Sequence, residues 1–210
     1  MSLENLIGEL KEQSVLKNNE IEKSLRNVDR KDFVREHHKK YAYANSPLSI
    51  GEGQTISQPL VVVKMMEWLD PQEGDRILEI GTGSGWQAGL LGFLVGKEGK
   101  VYSIERRHKL AEFAKANLKR SEIKNVEVIE GDGSFGYPKE SPYDRIIVTA
   151  AAPKIIKEWE EQLAENGDIV VPVGKEIQTL VHARKDKGRI EKIEEEKGYR
   201  FVPLKGKKGF

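Results

Sequence analysis

The sequence predicts an α/β chain built on a doubly wound, mainly parallel sheet, with an antiparallel C-terminal edge and N-terminal helices. Three observations predict it. From residue 75, short apolar runs alternate with helix-patterned segments, as in successive βαβ units. The first run, Arg76–Ile80, ends in glycines at the mouth of the next helix. Beyond about residue 170 the helical pattern thins, and strand-like runs follow one another directly.

Residues 3–27 carry apolar positions at helical spacing: Leu3, Leu6, Ile7 and Leu10, then Ile21, Leu25 and Val28. Asn18-Asn19 between them reads as a break or a cap, so two helices should pack on a larger body. Residues 41–57 hold turn residues without a sustained period, a structureless stretch of the kind that often carries function. Pro59 marks the first turn of a helix. Its buried face is expected from Leu60, Val63, Met66, Trp68 and Leu69, with Pro71 and Gly74 stopping it. Strands follow at 76–80, 100–104, 126–129, 143–148 and 168–171, and helices at 86–95, 107–120 and near 154–164. The last strand-like runs are 176–184, 189–195 and 199–203.

Thirty-five basic and 34 acidic side chains nearly cancel. Such a chain has no global field to draw it to nucleic acid or to an anionic membrane, and neither is expected as a partner. Lys205, Lys207 and Lys208 read as a solvated end. Cysteine is absent, which excludes a disulfide scaffold, a zinc–thiolate site and a thiol nucleophile, and fits a reducing compartment. With no N-terminal apolar stretch ahead of a cleavage site and no run of about 18 apolar residues, a soluble cytoplasmic protein is expected. Adjacent residues point apart on a helix, so His37-His38 is no ligand pair, and no metal is expected. The 26 Glu and 24 Lys against 8 Asp and 11 Arg follow a thermophile tendency.

Ile80-Gly-Thr-Gly-Ser-Gly85 joins the first strand to its helix. Glycines there let a ligand approach the backbone beside a helix N-terminus. Taken alone the signal is weak, and a plain tight strand-to-helix turn is the lesser alternative. A dinucleotide fingerprint needs a third glycine at position 86, which is Trp86. The G-x-G-x-G spacing instead resembles the S-adenosyl-L-methionine loop of class I methyltransferases. Two acids stand in register with it. Glu105, after the second strand, can accept from both ribose hydroxyls and repel a 2′-phosphate. Asp132, in Gly131-Asp132-Gly133 after the third strand, can accept from the adenine amino group. The fourth strand ends Thr149-Ala-Ala-Ala-Pro153, without the Asn or Asp, Pro-Pro and aromatic that nucleic-acid amino methyltransferases place there. Cytosine C5 methylation needs a cysteine. Small-molecule methyltransferases stay open on these grounds.

Pro47-Leu-Ser-Ile-Gly-Glu-Gly-Gln-Thr-Ile-Ser-Gln-Pro59 closely resembles the signature of the protein-L-isoaspartate O-methyltransferase family. Arg26-Asn-Val-Asp-Arg-Lys-Asp-Phe-Val34 is similar to the family's N-terminal segment. Leu78-Glu-Ile-Gly-Thr-Gly-Ser-Gly85, Tyr102-Ser-Ile-Glu105 and Gly131-Asp-Gly133 resemble its cofactor motifs. Tyr143-Asp-Arg-Ile-Ile-Val-Thr-Ala-Ala-Ala-Pro153, Val170-Val-Pro-Val-Gly174 and Phe201-Val-Pro-Leu204 resemble later blocks. The resemblance runs in order from about residue 26 to 204. Trp86 stands where Tyr is common, and Gly89 and Gly92 where Ala is expected.

The resemblance implies a Rossmann-like class I methyltransferase fold and transfer of a methyl group from S-adenosyl-L-methionine to the free α-carboxylate of L-isoaspartyl residues, leaving S-adenosyl-L-homocysteine. Isoaspartyl-containing proteins and peptides are the implied partners of a monomer. Cofactor binding falls to Glu79, Gly81, Thr82, Gly83, Ser84, Gly85, Glu105, Asp132 and Gly133. Substrate binding falls to Gln54, Thr55 and Ile56, and the catalytic position to Ser57. The residues alone also read Ser57 as the N-cap of the helix that follows. The expected division is a single methyltransferase domain over 1–210, with N-terminal helices and substrate loop over 1–57, cofactor-binding core over 58–174 and C-terminal strands over 175–210.

Overall fold

The computed structural model describes residues 1–210. Helix α1 spans Leu3–Glu12 and α2 spans Asn19–Asn27. Side chains cap both, Ser2 accepting from the Asn5 N–H and Asn18 from the Glu20 N–H. Of the positions the spacing names, Leu6, Ile7, Leu10, Ile21, Leu25 and Val28 are buried and Leu3 is partly buried.

The 41–57 stretch departs from expectation, because part of it is ordered as a hairpin. Strand β1 (Leu48–Gly51) pairs antiparallel with β2 (Gln54–Ile56) around Glu52-Gly53, both at positive φ. Two left-handed residues in a row suit the twist of a tight hairpin. Within the hairpin only Ile50 and Ile56 are buried, too few to show as a period.

Helix α3 (Pro59–Leu69) starts with proline in its first turn. Its deepest face includes Val62 and Met65, whereas Leu60 and Trp68 are only partly buried, so the packed stripe is rotated from the expected one. Its N-cap is Gln58, not Ser57, and no side chain supplies the cap bond.

The central sheet contains β3 (Arg76–Ile80), β4 (Lys100–Glu105), β5 (Val126–Glu130), β6 (Tyr143–Val148), β7 (Leu163–Val173), β8 (Gln178–Asp186) and β9 (Arg189–Tyr199) in the order β5-β4-β3-β6-β7-β8-β9. All pairs up to β6–β7 are parallel, and β7–β8 and β8–β9 are antiparallel. Strand order reverses at β3, between β4 and β6. In open α/β sheets such a switch point opens a crevice at the carboxyl ends of the strands. Helices α4 (Trp86–Leu94), α5 (His108–Arg120) and α6 (Lys157–Gln162) complete the fold.

Two late elements differ from expectation. Helix α6 has 6 residues because both its flanks are drawn into pairing. Ala151 and Ala152 bridge to Pro203 and Val173, and Leu163 pairs with Tyr143 as the start of β7. The run 199–203 is not a separate strand. Its first residue, Tyr199, finishes β9, and Val202 and Leu204 sandwich residue 151, the Ala151 N–H donating to Val202 O and the Leu204 N–H to Ala151 O.

Side chains alternate across the sheet, so each face has its own core. One holds 29 buried residues, among them Ile77, Ile147 and Val170 with the faces of α1 to α5; the other holds 17, among them Leu78, Ile146 and Trp159. Gly89 and Gly92 find their reason here. A Cβ on Gly89 would lie 2.9 Å from Ile123 and one on Gly92 2.7 Å from Val126. Both glycines permit close packing, at a helix-propensity cost of about 1 kcal/mol each.

At the opposite edge from the crevice, buried Asp168 accepts from His182 Nε2 (2.9 Å) and from Arg184 Nε (3.0 Å) and Nη2 (3.1 Å), with Arg145 Nη1 at 3.6 Å. Burial pushes its carboxyl upward, but these partners outweigh burial and hold it below the usual range. A depressed carboxylate stabilises the fold above the unfolded value of about 3.9 and loses that contribution as pH falls through its own lower value. The stability gap between wild type and Asp168→Asn should therefore be present at pH 5 and close below about pH 4 in urea melts. A gap unchanged at pH 2 would contradict this.

Candidate active site

The turn after β3 is made of Gly81 (φ +101°), Thr82, Gly83 (φ +56°), Ser84 and Gly85 (φ +86°), the last being the N-cap of α4. Thr149, at the end of β6, donates from Oγ1 to Gly81 O (2.6 Å) and fixes the loop from the neighbouring strand. Glu105 holds it from the other side, accepting from the Gly83 N–H (3.0 Å) at Oε2 and from the Arg107 N–H (2.9 Å) at Oε1. Each carboxylate oxygen keeps room for a further donor.

A cleft of about 990 Å³, open solvent at its mouth included, lies over this loop. Gly81, Thr82, Gly83, Ser84, Glu105 and Gly133 line it, and so do Gln54, Thr55, Ile56 and Ser57 from the hairpin. Ten of the residues singled out in the sequence thus meet in one cavity. Val202, Pro203 and Leu204, from a block the resemblance had marked without a role, and Lys205 add a further side.

Three expected residues stand outside it. Glu79 is fully buried under the loop and receives the Ser103 hydroxyl, which in turn pairs with Thr82 Oγ1 (2.6 Å). Burial pushes its carboxyl up to about 8, the Ser103 bond opposing and the Glu105 charge adding to the rise. It reaches the cleft through Ser103 and Thr82. Gly85 is also outside; a Cβ there would lie 3.2 Å from Ala114, so it sets α4 against α5. Asp132 is turned to the C-terminal segment. Its Oδ1 accepts from the Ser134 N–H (3.0 Å) and Oγ (2.7 Å), and its Oδ2 from the Lys207 N–H (2.9 Å). Burial raises its pKa, and these donors more than reverse that, holding it below the usual carboxylate range.

The tail is therefore not a solvated end. Lys205, Lys207 and Lys208 expose their side chains, yet the Lys208 N–H donates to Ser134 Oγ (3.2 Å) and Lys208 Nζ lies 3.0 Å from Glu158. Spacing gave no sign of this, since 75 residues separate Asp132 from Lys207.

Ser57 is half-buried, and its hydroxyl has no hydrogen-bond partner in the protein. Its carbonyl accepts from Arg30 Nη2 (2.9 Å). Arg30 had no role in the sequence reading, because one arginine in a polar segment looks like surface.

The cleft fits S-adenosyl-L-methionine by two features of the chain. A Cβ on Gly133 would press 2.6 Å from Ile80, so the wall is kept slim beside the loop. The donor set also matches: a carboxylate with spare acceptor positions stands over a glycine turn.

Residues 1–209 match the family model for protein-L-isoaspartate(D-aspartate) O-methyltransferase. The chain is 51% identical over 187 residues to protein-L-isoaspartate O-methyltransferase 2 of Archaeoglobus fulgidus, covering 89% of this chain and 85% of that one. It is 46% identical over 203 residues to the enzyme of Pyrococcus horikoshii, covering 96% and 91%. A solved protein-L-isoaspartate O-methyltransferase superposes with a TM-score of 0.91 at 32% identity, covering 99% of this chain and 67% of that one. A Plasmodium falciparum structure, described as a putative protein-L-isoaspartate O-methyltransferase in complex with S-adenosyl-L-homocysteine, gives 0.86 at 26% identity, covering 96% and 97%. Relatives from thermophilic archaea accord with the Glu/Lys-rich composition.

Proposed function

The chain belongs to the protein-L-isoaspartate(D-aspartate) O-methyltransferase family, and on that premise we propose how its cleft carries out protein repair. The enzyme methylates the free α-carboxylate of L-isoaspartyl residues in damaged proteins and peptides. A neighbouring backbone amide then displaces methanol from the ester, and water opens the resulting succinimide, partly to aspartate. When bound, S-adenosyl-L-methionine supplies an electrophilic methyl group on a sulfonium and leaves as S-adenosyl-L-homocysteine.

One observation carries the assignment of roles: the glycine turn with Glu105 and the Gln54–Ser57 segment line the same cleft. Glu105 receives the ribose hydroxyls on its spare acceptor positions. Gly81, Thr82, Gly83, Ser84 and Gly133 cradle the rest of the cofactor, with Glu79 acting through Thr82 and Gly85 through the placing of α4. Asp132, outside the cleft, acts through the C-terminal segment that it anchors and whose Lys205 lines the cleft. Gln54, Thr55 and Ile56 hold the peptide.

The acceptor carboxylate is ionised at neutral pH, so no general base is needed. The protein has to align one oxygen with the methyl group, an effect that reaches roughly 7–11 kcal/mol in ideal cases, and to exclude water. Ser57 does the aligning by donating its unpartnered hydroxyl to that carboxylate. One charge-assisted bond is worth about 1.5–3 kcal/mol, so Ser57→Ala should lower kcat on an isoaspartyl peptide about 10- to 100-fold. Calorimetric affinity for S-adenosyl-L-homocysteine should not change. Wild-type turnover in the variant would remove Ser57 from the mechanism.

We place the enzyme in the cytoplasm as a monomer, one methyltransferase unit whose 1–57 segment serves substrate, 58–174 cofactor and 175–210 the sheet edge. Its near-neutral charge supports the absence of nucleic-acid and membrane partners. No helix is long and apolar enough to cross a membrane.

A further inference from the structure

Arg30 lies in a 3₁₀ turn, Arg30–Phe33, and is 1% exposed. Its guanidinium meets only neutral carbonyls. Nη1 donates to Ala42 O (2.6 Å) and Ala44 O (3.4 Å), and Nη2 to Ser46 O (3.0 Å) and Ser57 O (2.9 Å). Nε has no partner. The Trp86 ring, 5.2 Å away, is its remaining electrostatic neighbour. Adjacent Asp29 is turned elsewhere, to the Lys31 N–H and the Tyr43 hydroxyl. Burial pulls the guanidinium pKa down to about 9, with no acid pulling it back.

A buried cation without a carboxylate is costly, and structures seldom retain one that merely ties loops together. A neutral amide could donate to two of these carbonyls without the cost of a buried charge. The acceptors themselves indicate what the charge does. Ser46 precedes β1 and Ser57 follows β2, so the guanidinium closes the base of the hairpin. Ser57 also lines the cleft. The positive charge therefore stands directly behind the residue that faces the acceptor, where screening by water is weak.

We propose that Arg30 is the positioning residue of the acceptor site: it fixes Ser57 from behind and provides the uncompensated charge that favours a carboxylate over a neutral acceptor. This rests on the isoaspartyl reading. Arg30 does not touch the substrate; it acts through the Ser57 peptide and through its field.

The test uses two variants and two competitors. Arg30→Lys keeps the charge with fewer bonds; Arg30→Gln keeps donors without the charge. The competitors are an isoaspartyl peptide and its α-carboxamide analogue, and the readout is the ratio of their inhibition constants. Wild type should prefer the carboxylate by about tenfold or more, Arg30→Lys should stay within about threefold of that ratio, and Arg30→Gln should fall close to one. Both variants should lower kcat by about tenfold or more, since each loosens the hairpin base. A ratio in Arg30→Gln equal to wild type overturns the proposal. Binding of S-adenosyl-L-homocysteine reports folding. If Arg30→Gln fails to bind it, Arg30→Lys decides: a retained ratio with lowered kcat supports the role, and wild-type kcat or a lost ratio overturns it. Wild-type turnover on the isoaspartyl peptide is measured first. Its absence sinks the reading of the substrate, whereas normal wild-type turnover with unaltered variants sinks the role of Arg30 alone.

Discussion

Gly81→Ala should lose about 100-fold or more in affinity for S-adenosyl-L-homocysteine, equivalent to about 2.7 kcal/mol, and methyl transfer should fall with it. Gly81 stands at φ +101°, a conformation that disfavours a side chain, and an added Cβ would collide with Thr149 Oγ1. That hydroxyl bonds both Ile80 O (3.1 Å) and Gly81 O, so it cannot move without freeing the loop. Strain at such a position costs on the order of 1–3 kcal/mol, and the collision adds to it where the cofactor is cradled. Gly188, at φ +73° in the β8–β9 turn with open space around it, separates the two causes. Gly188→Ala should share the strain and leave the affinity alone. Equal loss in both variants would show that the glycine loop is not the cofactor's seat.

The second large effect is on stability. Trp159 is fully buried in the core on the α6 side of the sheet, and its Nε1–H donates to Gly133 O (2.9 Å). Truncating a large buried aromatic to alanine typically costs about 3–5 kcal/mol through lost burial and the cavity left behind. For a chain of this size that corresponds to roughly 6–20 °C in Tm. Gly133 lines the cleft, so releasing its carbonyl should also weaken cofactor binding. Trp159→Phe keeps most of the packing and removes only the bond, for about 1 kcal/mol. A Trp159→Ala protein melting within about 2 °C of wild type would mean that α6 carries little of the fold's stability.

What the sequence disclosed, and what it hid, divides along the range of the interactions. Strands β3 to β6 and helices α4 and α5 are local patterns, and a period of two or of 3.6 is readable within one window. The glycine turn, Glu105 and Gly133 follow directly from that alternation. The hairpin was hidden because its strands have four and three residues, and its order comes partly from Arg35 Nε bonding Ile50 O (2.7 Å). Residue identity named Asp132 but could not foretell its engagement by the tail. Glu79 was legible as a motif residue, yet only the fold shows it beneath Thr82. Arg30 was the least visible, since its meaning depends on four carbonyls 12 to 27 residues away.

The central claim is that one cleft pairs a methyl donor with a misplaced backbone carboxylate. The most direct measurement is methyl transfer from labelled S-adenosyl-L-methionine to two synthetic peptides of one sequence, one carrying L-isoaspartate and the other L-aspartate. Label should enter only the isoaspartyl peptide and return as volatile methanol under mild base. Equal labelling of both peptides, or label that resists base, would contradict the account.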